Sequence, residues 1–207
     1  MFSNMLTSLP PSSAFGERLV RRNGLDAAGF AEWEFPPGMK FAERVAWWRD
    51  GAERTGAHEG LDIRLYRTGD GRRLSLGAGA RIPAVYPGAI VAIVDDFLGR
   101  SVFVAHDVRD GDGRWLHSVY GHVDPCPGLA PGSPLGDEDL IGTIADPFAR
   151  GSLVPPHLHL SLAMIAGSGP VGWPELRDPA RALLLDPLPI VCGPRDSLPP
   201  PSRTRVP

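Results

Sequence analysis

The pattern of apolar and polar residues predicts a chain made mostly of strands. The two kinds alternate over 31–35 and over 61–66, and the period of two places Asp62 on the face opposite its apolar neighbours. Short apolar runs bounded by turn residues predict further strands. These runs lie at 82–85, 89–94, 101–105, 115–123, 140–144, 158–163 and 188–191.

Turn residues separate these runs, since the chain has 25 glycines and 23 prolines among its 207 residues. The Asp-Gly-Asp-Gly segment at 110–113 is typical of a hairpin, so the strands beside it should be antiparallel neighbours. Helices should be few: one turn at 17–22, a helix at 41–48 from its apolar spacing, and one at 178–185. The predicted fold class is mainly β, with antiparallel sheets forming a sandwich or half-barrel and a groove over one sheet.

The length favours a single domain with one sizeable core. We expect residues 1–28 to be an irregular lead-in and 29–193 to form the domain. We expect 194–207, with three consecutive prolines, to be a disordered tail.

Charge and hydropathy argue against nucleic-acid binding and against a membrane-spanning segment. A net charge of -3 gives no electrostatic case for nucleic acid, and no stretch is long and apolar enough to cross a bilayer. Residues 1–20 are broken by prolines and serines, and they do not read as a secretory signal. We expect a monomer.

Residues 157–162 carry the most informative local pattern, His-Leu-His-Leu-Ser-Leu. Alternation on a strand places His157 and His159 on one face, about 6 to 7 Å apart at Cα. One imidazole can then bind a metal while the other reaches a water on it. The two preceding prolines cannot extend a ladder, so the strand should begin at His157. Two solvent-facing histidines on an amphipathic strand would give the same pattern.

His58 and Asp62 lie four residues apart, in a near miss to the helical His-Glu-x-x-His zinc motif. Gly60 and the strand pattern after it argue against a helix. An extended segment would be about 13 Å long, too long for one ion, so the backbone must bend, which Gly60 permits. The alternative is an exposed histidine and aspartate near a turn.

His122 follows a Tyr-Gly pair at the end of a predicted strand, where a lone histidine is usually structural. His106 and His117 have no partner at a metal-site spacing. We expect those two to be structural as well, or to support the site from behind.

Taken together, the order His-x-x-x-Asp, Tyr-x-His and His-x-His resembles the lysostaphin-type (LytM-like) zinc metallopeptidases. The resemblance runs from about His58 to Ser161. Residues 88–91, Gly-Ala-Ile-Val, resemble a recurrent core strand of that family, and 156–160, Pro-His-Leu-His-Leu, are close to its most diagnostic stretch.

The resemblance implies a role for each residue. His58, Asp62 and His159 would bind one Zn²⁺, and His122 and His157 would be the catalytic histidines. Two imidazoles and a carboxylate leave a fourth position open on tetrahedral zinc, where a bound water has a pKa of roughly 7. The two remaining histidines titrate in the range needed to move protons.

The resemblance also implies a substrate, namely glycine- or D-amino-acid-containing peptides of peptidoglycan, cut by an endopeptidase. That substrate favours the cell envelope, the periplasm or secretion, with a cytoplasmic peptide as the alternative because no export signal is evident. The rival function is a non-catalytic binding or regulatory module of the same fold, pinned by a metal and acting on a cell-wall partner. A third reading is a β domain whose histidines never meet.

Two features depart from the family pattern. Relatives place a tyrosine shortly before the first ligand, whereas no tyrosine precedes His58 and the nearest upstream aromatic residues are Trp47 and Trp48. The segment 67–79, rich in glycine and arginine, looks enlarged, and we expect it to border the groove.

Overall fold

The computed structural model describes residues 13–167 and 169–193. The predicted tail at 194–207 lies outside these residues. The helices are α1 (Phe15–Arg22), α2 (Trp173–Arg177) and α3 (Leu188–Cys192), with a 3-10 turn at Phe148–Arg150. The strands are β1 (Phe30–Glu34), β2 (Leu61–Ile63), β3 (Leu65–Thr68), β4 (Arg73–Ser75), β5 (Arg81–Pro83), β6 (Gly88–Asp95), β7 (Arg100–Arg109), β8 (Trp115–Pro125), β9 (Pro134–Leu135), β10 (Leu140–Ile144), β11 (Leu158–Ile165) and β12 (Ala182–Leu185).

These strands form two antiparallel sheets. The small sheet has the order β1-β3-β4, and the large sheet follows the path β12-β11-β8-β7-β6-β9. Beside that path, β2 pairs with β11, while β10 pairs with both β8 and β5. The expected hairpin forms at 110–113, between β7 and β8. The prediction of a mainly β, antiparallel fold is confirmed.

The main core lies between the large sheet, the small sheet and the helices at either end of the described chain. Phe15 and Leu19 of α1 pack there with Tyr120 and Leu160 of the large sheet, all four fully buried. A smaller cluster covers the other face of the large sheet and consists of Phe103, Val119, Ala163, Ile165 and Leu176. Because both faces are covered, every residue of β11 is buried, including the polar ones.

The helix predicted at 41–48 is wrong. The chain there forms turns, Ala42 has a φ of 63°, and Val45 makes an isolated bridge to Glu53. The carboxylate of Glu43 accepts hydrogen bonds from the backbone N–H groups of Gly38 and Lys40. These contacts favour a turn, because an acidic side chain that binds nearby backbone donors competes with helix formation.

Two predictions near the C-terminal end of the described chain are also wrong. The helix expected at 178–185 is instead strand β12 over Ala182–Leu185, which pairs with β11. The strand expected at 188–191 is helix α3, over Leu188–Cys192. Pro189 in its first turn suits a helix start, since its missing N–H has no partner there. β12 forms because the edge of β11 offers hydrogen bonds that a local pattern does not reveal.

The strand expected at 61–66 is divided. β2 belongs to the large sheet and β3 to the small one, and the chain changes sheets at Arg64. Within the described residues, no helix is both long and apolar enough to cross a membrane.

Candidate metal centre

Strand pairing brings the candidate ligands together from distant parts of the sequence. β11 lies between β2 and β8, and the register sets His159 beside Asp62 on one side and beside Gly121 on the other. His58 precedes β2 and turns back towards the same point. The resulting His58, Asp62 and His159 cluster is almost fully buried, at 1%, 1% and 5% exposure.

Two glycines make this approach possible. A Cβ on Gly60 would lie 2.3 Å from the carbonyl oxygen of Leu160 and 2.7 Å from Oγ of Ser161. A Cβ on Gly121 would lie 3.2 Å from the Cβ of His159. The bend expected at Gly60 is present, and glycine is needed there for close packing against β11.

The donor atoms of the cluster fit one ion. Nε2 of His58 lies 3.1 Å from Oδ1 of Asp62, and Nδ1 of His159 lies 2.8 Å from that oxygen and 3.1 Å from Nε2 of His58. Three atoms bound tetrahedrally to zinc at 2.0 to 2.1 Å would be about 3.3 Å apart, only slightly wider than observed. Two imidazoles and one carboxylate are also a donor set typical of catalytic zinc.

The positions of the protons in this cluster also favour a bound cation. His58 Nδ1–H donates to the carbonyl of Lys40 at 2.9 Å, so a neutral His58 has no proton on Nε2. Nε2 of His58 and Oδ1 of Asp62 then face each other as two acceptors. Ser161 Oγ lies 2.9 Å from Nε2 of His159 and can accept that nitrogen's proton, which frees Nδ1 of His159 as well. A cation bound between these atoms would remove the repulsion between their lone pairs.

The second oxygen of Asp62 is held by two residues that sequence reasoning missed. Trp47 Nε1–H donates to Oδ2 of Asp62 at 2.7 Å, and Arg54 Nη2–H donates to the same oxygen at 2.9 Å. The signal available for Trp47 was only its place among the aromatic residues nearest upstream of His58. The signal available for Arg54 was weak: a basic residue in a turn-rich segment.

His122 lies beside the cluster and is oriented by Asp96, which sequence reasoning also missed. Its Nδ1–H donates to Oδ1 of Asp96 at 3.0 Å, and its backbone N–H donates to Oδ2 at 3.0 Å. Nε2 is therefore the nitrogen left to face the cavity. His122 has a φ of 63°, a left-handed conformation that is uncommon outside glycine. An Asp-Asp pair at the end of a strand was the available signal.

His157 completes the set. Its Nδ1–H donates to the carbonyl of Pro155 at 2.9 Å, and its Nε2 lies 3.8 Å from Oδ1 of Asp62. Its ring centroid is 4.8 Å from that of His122. The structure thus gathers all five predicted residues at one place; the assignment of ligand and catalytic roles among them stays a prediction.

Burial and hydrogen bonding set the charges. Burial lowers the pKa of His157 to about 4, and burial also lowers the pKa of His159, so both rings are neutral at pH 7. Burial would raise the pKa of Asp62, but the nearby histidines hold that pKa well below its ordinary value. The same holds for Asp96, where burial is outweighed by hydrogen bonds and charge from His122. Ionised Asp62 and Asp96 beside the neutral imidazoles of His157 and His159 suit a divalent cation.

A cavity of about 290 Å³ opens onto the cluster. It is lined by Trp48, Arg54, Glu59, Asp62, Asp95, Asp96, Phe97, His122, Val154, His157, His159, Trp173 and Arg177. The segment 67–79 contributes none of these residues, so the expectation that it borders the groove is wrong. It forms the β3–β4 hairpin of the small sheet instead.

His106 and His117 lie elsewhere, as expected for structural histidines. His106 Nδ1–H donates to the carbonyl of Pro87, and its Nε2 accepts from Oγ of Ser118 at 2.8 Å. His117 Nδ1–H donates to the carbonyl of Trp115. Within the described residues, one group of three or more His, Cys, Asp or Glu side chains is placed to hold a metal, and it consists of His58, Asp62 and His159.

Comparisons with known proteins add likenesses of fold. No protein-family model matches the chain, and no curated protein matches it. Solved structures that resemble it include a variant of the catalytic domain of the prophage-encoded M23 protein EnpA from Enterococcus faecalis, with 19% identity over 68% of this chain and 90% of that one, at a TM-score of 0.39. CbpA from L. salivarius REN has 18% identity over 77% and 87%, at 0.47. Lysostaphin has 16% identity over 75% and 55%, at 0.44.

Proposed function

We propose that this protein is a zinc-dependent endopeptidase that hydrolyses peptide bonds in the stem or cross-bridge peptides of peptidoglycan. His58, Asp62 and His159 bind one Zn²⁺, and His122 and His157 are the catalytic residues. The observation that carries the proposal is the convergence of two imidazole nitrogens and one carboxylate oxygen within 3.1 Å of one another, beside two further histidines that line the same cavity.

The protein's own residues prepare this site for hydrolysis. A bound zinc supplies a Lewis acid that polarises a carbonyl and acidifies a water. Asp96 holds the proton of His122 on Nδ1, which leaves Nε2 to take a proton from the nucleophile. The carboxylate of Asp96 also stabilises the imidazolium that forms. Burial lowers the pKa of His157 to about 4 and its Nδ1–H donates to the carbonyl of Pro155, so its bare Nε2 can accept a hydrogen bond from the attacking water. The proton that His122 takes up is the one it returns to the leaving amine.

The sequence resemblance supports this substrate class, and the size of the cavity is compatible with it. Peptidoglycan peptides are short and extended, and a cavity of about 290 Å³ beside the cluster accommodates a short peptide segment. We propose a location in the cell envelope or outside the cell, a monomer, and a catalytic domain over 29–193 to whose core helix α1 also contributes.

The test combines metal analysis with peptidoglycan digestion, with and without a chelator. The purified protein should contain about one zinc per chain, and chelation should stop digestion. His122→Ala should keep the zinc and lose digestion, while His117→Ala, a histidine outside the cluster, should leave both unchanged. Digestion by His122→Ala at the parent's rate would contradict the mechanism. Zinc without digestion in the parent would instead support the rival function, a metal-pinned binding module for a cell-wall partner.

A further inference from the structure

The carboxylate of Asp62 is shared between two sets of partners. Oδ1 faces the ring nitrogens of His58 and His159. Oδ2 faces away from them and accepts hydrogen bonds from the indole of Trp47 and the guanidinium of Arg54. The two oxygens of this buried side chain are therefore not equivalent.

Both outer donors come from one short segment, which we call the 44–54 loop. Its ends are joined by the bridge between Val45 and Glu53 and by a hydrogen bond from Arg54 N–H to the carbonyl of Arg44 at 2.7 Å. The N–H of Ala46 donates to the carbonyl of Ala52 across the same loop at 2.9 Å. Hydrogen bonds of its own backbone therefore hold the 44–54 loop closed, independently of the contacts that its side chains make with Asp62.

Each donor is also held from a second direction. The ring of Trp47 meets the ring of His157 edge-on, with centroids 5.0 Å apart. The guanidinium of Arg54 lies 4.5 Å from the centre of the Trp48 ring, and its Nη2 donates to the carbonyl of Gly38 at 3.1 Å. Only 14% of the Arg54 side chain is exposed. Neither donor can turn away from Asp62 without losing these contacts.

We propose that Trp47 and Arg54 are positioning residues that keep Asp62 a one-oxygen ligand of the metal. A carboxylate can bind a metal through one oxygen or both, and the second oxygen would take up a position needed for water or substrate. Two N–H donors on Oδ2 make that rotation unfavourable. Partners of this kind orient the residues that bind the metal, and losing one typically costs 10–100-fold in metal affinity or activity.

The inference rests on the proposed metal site, and its test measures metal binding directly. Trp47→Phe removes the indole N–H and keeps the aromatic packing, while Arg54→Met removes the guanidinium and keeps a long side chain. Zinc affinity is measured by competition with a chelator, and coordination by the visible spectrum of the cobalt-substituted protein. Each variant should bind zinc about tenfold or more weakly. Its cobalt bands should weaken, because cobalt with more than four ligands absorbs less strongly.

Matched controls make the same chemical changes elsewhere. Trp33→Phe alters a buried tryptophan of β1, and Arg49→Met alters an exposed arginine of the 44–54 loop. Both should keep the parent's zinc affinity and cobalt spectrum. If Trp47→Phe does not fold, as judged by circular dichroism, Arg54→Met carries the test alone.

The outcomes separate this inference from the proposed function. Folded variants with the parent's zinc affinity and cobalt spectrum would overturn the role of Trp47 and Arg54 and leave the metal site standing. A parent that binds no zinc would overturn both together. Weaker zinc binding together with weaker cobalt bands in the two variants, with the controls unchanged, supports the positioning role. Weaker zinc binding with the parent's cobalt spectrum would overturn the one-oxygen role of Asp62.

Discussion

Strand β8 carries two buried histidines with different surroundings, His117 near its start and His122 near its end. Next to His117, the ring nitrogens of His106 end on a backbone carbonyl and a serine hydroxyl. Next to His122, one ring nitrogen of His58 and one of His159 also meet a backbone carbonyl and a serine hydroxyl, but the other two face each other and a carboxylate. Burial and a local excess of histidine are common to both regions. What distinguishes the candidate metal centre is an ionised carboxylate placed where two imidazole lone pairs meet.

The largest difference should come from deleting one histidine in each region. His159→Ala should abolish zinc binding, because two ligands remain and the site cannot be completed. His117→Ala should keep one zinc per chain. Elemental analysis of both purified variants checks this, and a zinc content in His159→Ala equal to that of the parent would refute the assigned ligand set.

The next effect concerns the carboxylate that orients His122. Asp96→Asn should keep zinc and lower the rate of peptidoglycan digestion on the order of 10²- to 10⁴-fold, because an amide no longer fixes the ring tautomer or stabilises the imidazolium. Asp107→Asn is the matched control, since Asp107 is exposed and does not line the cavity at the cluster. Equal losses in the two variants would show that the effect is not specific to Asp96.

Zinc should also raise the free energy of unfolding, and only through the cluster of His58, Asp62 and His159. At free zinc a thousand times its dissociation constant, the free energy of unfolding should rise by about 4 kcal/mol. Urea unfolding with zinc and with a chelator measures the difference. His117→Ala should show the same rise as the parent and His159→Ala none, so a rise in His159→Ala would mean that zinc binds elsewhere.

The smallest expected effect concerns His106, in the region next to His117. Burial lowers the pKa of His106 to about 4, below its ordinary value of 6.5. The folded state therefore binds this proton less readily than the unfolded chain, so stability is fully present above pH 6.5 and is lost as the pH falls towards 4. The contribution is about 3 kcal/mol from a shift of this size.

Urea unfolding between pH 7 and pH 4, in the presence of a chelator, tests this contribution. His106→Gln should lose stability less steeply than the parent over that range. Identical pH profiles for the two proteins would mean that His106 is not buried in its neutral form.

Several features of the fold were predictable from local patterns. The hairpin at 110–113 and the strand at 158–163 follow from turn residues and from alternation, which depend on a few neighbouring residues. The helices predicted at 41–48 and 178–185 were wrong because partners outside each segment set its conformation. The strand predicted at 188–191 was wrong for a local reason, since Pro189 suits the first turn of a helix. Ala182–Leu185 is a strand because β11 has an edge to pair with.

The candidate site divides in the same way. The amino-acid sequence alone establishes which residue types are available and how they are spaced, because ligand chemistry belongs to the side chains and facing depends on the period of a strand. Trp47, Arg54 and Asp96 act through contacts that no spacing encodes. Only the paired strands bring His58 within 3.1 Å of His159, a residue 101 positions away. The physical reason is that hydrogen bonds between strands act across space, whereas periodicity acts along the chain.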